Sequence, residues 1–222
     1  MPARMDTLKI GDGLEITRLV TSDPTVDIPG EIDGIKVTSL GPMFLKDSHG
    51  NAVRSLIIPS SITKASPDAL ECSHVGSIEY EGDFKTFNSF GWTANNSCKV
   101  VCGDGFSFDF ISGVPMCFPQ FDEYVLESHH RIPEKVVLNR LGRPVMMTDD
   151  IRERYLRYLR SRIIPMAEHA IVEDDIGTLT DVIGSGAVTE EDLYRMLEKS
   201  VRSGRISSTS IIMSALNRTG TE

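Results

Sequence analysis

His129 and His130, with Glu127 and Glu134 nearby, are side chains of the types that bind metal ions. A helical metal site needs its donors on one face, as in histidines at i and i+4 or an H-E-x-x-H run, and adjacent helical side chains point apart. The pair therefore reads as a polar helix end, where histidine also suits the dipole. Cys72, His74, Cys98 and Cys102 carry atoms that bind zinc. No C-x-x-C pair occurs, however, and the spacing of Cys72, Cys98, Cys102 and Cys117 suits neither a zinc ribbon nor a small disulfide scaffold. Buried reduced thiols are the expectation, with Cys98 and Cys102 on one face of a strand. Gly103-Asp104-Gly105 lacks the G-K-[ST] ending and following helix of a phosphate loop, and reads as a turn. The acidic clusters at 149–150, 174–175 and 190–192 each fall in the first turn of a predicted helix, where capping and dipole chemistry account for them. There is no G-x-S-x-G and no cysteine with a patterned histidine. These residues predict no catalytic site, no metal site and no cofactor.

One charged run has binding potential. Residues 151–162 place Arg152, Arg154, Arg157, Arg160 and Arg162 around Tyr155 and Tyr158. Basic side chains interleaved with aromatic rings are the means of gripping a single-stranded nucleic acid. Arg154, Arg157 and Tyr158 are the candidates for an adaptor that binds RNA or an acidic partner. The competing reading is a solvated helix face opposite an apolar stripe. The net charge of −9 favours the latter, since general nucleic-acid or anionic-membrane binding calls for a basic face.

The elements behind these residues come from a repeat. Leu56 and Ile58, Ile78 and Tyr80, and Val100 and Cys102 are apolar pairs two apart, recurring at about 22 residues, within the range of leucine-rich repeats. Val26-Asp27-Ile28-Pro29 echoes Leu56-Ile57-Ile58-Pro59 further upstream. A short alternating strand repeated at a fixed distance predicts a solenoid with Leu56, Ile78 and Val100 on neighbouring rungs. Residues 8–20 predict a hairpin around Gly11-Asp12-Gly13 that caps the first coil. Asp33-Gly34 predicts a turn between Val26-Ile28 and Ile35-Val37. Asp104-Gly105 predicts another before Phe106, Phe108 and Phe110, which end the array.

The run from Val26 through Leu40-Gly41 resembles the opening repeat of the BspA-like leucine-rich repeats. Leu56-Ile57-Ile58-Pro59-Ser60-Ser61-Ile62 through Ala69-Leu70-Glu71-Cys72 is similar to that family's next repeat, with Leu70 where the family has Phe and Cys72 at its core cysteine position. The resemblance covers about residues 8–110 and is closest in those two repeats; the third and fourth lack the Ile-Pro pair. It implies a curved right-handed array with a parallel strand ladder, used for recognition.

After Cys117 the β-branched strands give way to helical signals. Pro119 and Pro133 suit first helical positions, and Gly142 suits the left-handed end of a helix over Glu134 to Leu141. Thr148-Asp149-Asp150 opens a helix through Arg162. Pro165 starts one over Met166 to Val172, Asp174-Asp175 another, and Thr189 to Asp192 resembles a capping box. The final helix runs from Ser207 to about Asn217. Ile171, Ile176, Val182 and Ile183 return as Val201, Ile206, Ile212 and Met213, a step of about 30. That is weakly similar to ankyrin-type repeats without their T-P-L-H-x-A motif, and a plain helical bundle fits as well.

The fold expected is α+β: a leucine-rich-repeat solenoid over 1–118 and an all-α helical-repeat or bundle domain over 119–222. Hydrophobic content of 40% and charged content of 25% over 222 residues are ordinary for a folded soluble chain. No apolar run reaches about 18 residues, so no membrane span is expected. The opening MPARMDTLKIGDG has no secretory pattern, and the location expected is cytoplasmic. The function expected is non-catalytic recognition of a protein or peptide. If Leu56, Ile78 and Val100 point inward, Ile57, Glu79 and Val101 line the outer face and are the candidate binding residues.

Overall fold

The computed structural model describes residues 4–48, 53–93, 95–128 and 132–219. The chain divides into two compact units, Met1–Glu127 and Ser128–Glu222.

The first unit is solenoid-like and holds two sheets. One has the order β10-β9-β8-β6-β3, formed by Ser107–Phe110, Cys98–Cys102, Ser77–Tyr80, Ser55–Ile58 and Thr25–Asp27. Its strands pair in parallel except for the closing β9–β10 hairpin. Val26, Leu56, Ile78, Val100 and Phe108 occupy successive rungs in register, and all are buried. The expected spine is therefore present. Each coil also repeats its backbone bonds: Ser55, Ser77 and Lys99 donate to the carbonyls of Pro24, Arg54 and Gly76 as the strand begins, and Ile28, Glu81 and Gly103 donate to Ile57, Ile58 and Tyr80 at its end. Gly103 is required here by proximity, because a Cβ would come within 2.2 Å of the Glu81 carbonyl oxygen.

The other sheet has the order β1-β2-β5-β4, from Arg4–Ile10, Gly13–Val20, Ile35–Leu40 and Glu31–Ile32, with β7 (Lys64–Ala65) also paired to β5. The β1–β2 hairpin turns at Gly11, as expected for the N-terminal hairpin. The Asp33-Gly34 turn forms with both residues at positive φ, but its strands are β4 and β5. Val26 to Ile28 does not pair with Ile35 to Val37. The Pro29-Gly30 break sends β3 to the opposite sheet, so the two apolar runs become two walls of one coil.

Aromatic side chains fill the downstream end of this unit. Helix α1 (Phe84–Asn88) begins at an Asp83 cap and buries Phe84 and Phe87. Phe106, Phe108 and Phe110 meet Phe118 and, with α2 (Gln120–Glu127), Phe108 and Phe110 also meet Phe121. Asn88 secures the connection by donating to and accepting from the Phe118 backbone. The helical signals that start at Pro119 thus begin inside the first unit.

Among its described residues the second unit has α3 (Glu134–Gly142), α4 (Asp149–Leu159), α5 (Ile163–Glu173), α6 (Ile176–Gly184), α7 (Glu190–Arg202) and α8 (Ile206–Thr219). Two expected helix ends differ. Gly142 stays helical without positive φ, and the left-handed residue falls at Met146 instead. Helix α4 stops at Leu159, since Arg162 N–H turns back to the Leu159 carbonyl; α5 then opens at Ile163 with Pro165 in its first turn. The Thr189 capping box forms, with Asp192 as its acidic member.

The step of about 30 has a physical counterpart. Asp174 and Gly204 both take left-handed φ, 60° and 66°, and Asp175 and Arg205 donate backbone bonds to Ala170 and Ser200. The pair α5–α6 is followed by α7–α8 in the same arrangement, with α5 packed on α7 and α6 on α8.

Candidate functional site

Strand alternation places two columns on the outer face of the β10-β9-β8-β6-β3 sheet. One runs Asp27, Ile57, Glu79, Val101 and Ser107; the other runs Thr25, Ser55, Ser77, Lys99 and Asp109. Glu79 is exposed, while Ile57 and Val101 on either side of it are partly exposed. The sheet thus brings the three ladder candidates together, with neighbouring rungs about 4.8 Å apart. Their inward neighbours Leu56, Ile78 and Val100 are fully buried, which fixes the sign of the alternation. The face presents an acid between two apolar side chains, with Lys99 opposite Asp109 alongside. It can form a polar rim around small apolar anchors.

Inside the same sheet, Tyr80 donates its phenol proton to the Ile62 carbonyl at 2.9 Å. Burial pushes the Tyr80 hydroxyl up to about 12. Burial likewise raises the Cys98 and Cys102 thiols to about 12, and raises the Cys117 thiol. These three cysteines are buried and unbridged, as read from the sequence, and their raised values make them poor nucleophiles. Cys72 departs from that reading. It is exposed and left-handed (φ 61°), because the 66–73 turns bury Leu70 and Ser73 and put Cys72 at the bend. His74 sits on the surface with its Nδ1 3.1 Å from the Asn96 amide nitrogen. Among the described residues, no group of three or more His, Cys, Asp or Glu side chains is arranged to hold a metal ion. His129 and His130 lie outside the described residues.

The arginine-rich helix α4 is tied into its own unit. The Tyr158 hydroxyl donates to the Ile132 carbonyl at 2.6 Å. Arg162 lies 4.3 Å over the Tyr158 ring, and its guanidinium is 3.6 Å from Glu134. Arg154 approaches Asp150 at 4.0 Å. Tyr155 is buried, whereas Arg157 and Arg160 are exposed. Arg162 thus covers one face of the Tyr158 ring, and the Tyr155 ring is inside the unit.

Two features were not read from the sequence. Lys9, Lys36 and Lys64 gather with Thr38 and Thr63 around a cleft of about 580 Å³ on the β1-β2-β5 sheet. The three lysines lie far apart in sequence on β1, β5 and β7, and the β1–β2, β2–β5 and β5–β7 pairings bring them close. Arg140 is wholly buried and donates to the carbonyls of Arg143 and Val145. A charged residue in a short helix gives no sign in the sequence that the following loop will close over it.

Among the described residues no helix is long and apolar enough to cross a membrane. Comparison with family models, with curated proteins and with solved structures finds no match for this chain.

Proposed function

We propose that this chain is a non-catalytic recognition module of the BspA-like leucine-rich-repeat kind, binding a protein or peptide across the outer strand ladder. The observation that carries the reading is the Ile57–Glu79–Val101 column: three adjacent rungs on an open sheet face, apolar on both sides of an exposed acid. Interfaces of this type draw their affinity from a few apolar anchors in a polar surround. The repeated coil with its apolar spine supports the family reading. A ligand spread over several coils suits a protein or peptide better than a small metabolite. The adaptor reading, through Arg154, Arg157 and Tyr158, has less behind it because the Tyr158 hydroxyl and ring are both engaged within the unit.

The test is quantitative affinity capture from the native host with wild-type, Ile57→Asp and Glu79→Arg chains as bait. The reading expects specific partners to be lost from both variants while the melting temperature stays within the range of surface substitutions. Undiminished capture by both variants overturns it. For the adaptor reading, an RNA titration at low salt should give binding with a steep salt slope, and no binding there removes it.

A further inference from the structure

Three apolar side chains of the second helical pair are more exposed than their counterparts in the first. Ile171 is fully buried near the end of α5, and Ile176 and Ile183 on α6 are partly buried. The counterpart of Ile171 one step later, Val201, is 62% exposed, and Ile206 and Met213 on α8 are 84% and 51% exposed. Val201 and Ile206 are the two most exposed large apolar side chains among the described residues. With Gly204, Ser210 and Ser214 they line a cleft of about 690 Å³. In the preceding pair, α7 packs on α5 and α8 on α6.

The charges indicate what closes the cleft. A chain of net charge −9 repels its own copies over most of its surface. The cleft has no Asp or Glu in its lining, and its single cation, Arg205, bonds to the Val172 carbonyl. Along the whole of α8 the only charged residue is Arg218, in the last turn, whereas α7 is densely charged. The core of a protein interface is depleted of charge in this way. The surface also carries both halves of a self-complementary fit: Val201, Ile206 and Met213 project, and Gly204, Ser210 and Ser214 leave room. A two-fold contact requires that combination within one patch, because each residue meets the same surface turned around.

We propose that the α7–α8 face binds the same face of a second copy of this chain, giving a two-fold dimer with α8 against α8. This is independent of the strand ladder and of what the ladder binds. Sedimentation equilibrium of the full chain tests it. The wild type should show twice the 24.5 kDa chain mass at concentrations up to about 100 μM, a range that detects micromolar association. Ile206→Glu and Met213→Glu, both at exposed positions, should each return the chain mass with an unchanged circular dichroism melting curve. Leu8→Glu, which alters an exposed apolar residue of β1, should leave the dimer intact. A wild type that stays monomeric throughout assigns the face to a different occupant and overturns the proposal. So does a dimer that survives in folded Ile206→Glu and Met213→Glu, or one that Leu8→Glu dissolves equally.

Discussion

The two units both repeat a short structural step, and they finish differently. In the first, coils about 22 residues apart end in a dense group of phenylalanines, with Phe84 stacked on Phe106 and with Phe118 meeting Phe106, Phe108, Phe110 and Phe121. In the second, helix pairs about 30 residues apart finish on Val201, Ile206 and Met213, left open. A repeat array hides its apolar spine only where a neighbour stacks on it, so its last member needs either a lid or a partner. The contrast teaches which device each unit uses. Bulky rings supplied by the chain itself cover the β-coils, while the exposed α7–α8 face is lined by small uncharged residues beside Val201, Ile206 and Met213.

Three perturbations probe that contrast. The largest effect should come from Phe118→Ala, which removes the ring shared by five aromatic neighbours; a loss of about 3–5 kcal/mol is expected for such a truncation. Denaturant unfolding should show it, and a change under about 1 kcal/mol would mean the ring group is not the seal. A smaller effect separates the two helical pairs at their matching bends. Gly204→Ala forces a left-handed φ on a residue with a Cβ and should cost about 1–2 kcal/mol, whereas Asp174→Gly at the equivalent bend should be neutral or stabilising. Equal losses from both would show the two bends are not equivalent. The smallest concerns alkaline pH and the β-coils alone. Below about pH 9 the Cys98 and Cys102 thiols are protonated whether the chain is folded or not. Above it the unfolded thiols ionise while the folded ones hold their protons to about 12, so stability falls as pH rises through that window. Replacing both by Ala should flatten the fall between about pH 9 and 10, below the range in which Tyr80 adds most of its own. An unchanged slope would show that the thiols ionise in the folded state too.

What the sequence made legible follows from how rigidly each signal fixes geometry. Period-two alternation admits only two phases, so it puts Leu56, Ile78 and Val100 on one face of the ladder and Ile57, Glu79 and Val101 on the other. Helix starts were legible where a side chain caps the backbone, as at Thr148, Asp175 and Thr189. Stops were less so. Gly142 can adopt positive φ but need not, and Pro165 is tolerated inside a first turn as well as at its head. Strand partners in the β1-β2-β5-β4 sheet were hidden because β3 and β5 are close in sequence yet belong to different walls. The step of about 30 was visible in Ile171 and Val201, but periodicity is silent on exposure: the same residue type is core in one copy and surface in the next.

The column from Asp27 to Ser107 also sets a ruler for whatever lies against it. Its five rungs span four strand spacings, on the order of 19 Å, running across the strands instead of along them. An extended peptide parallel to the strands would touch only one or two of these rungs. A helix laid crosswise would need roughly thirteen residues to reach from end to end, which sets the footprint of a ligand that engages the whole column.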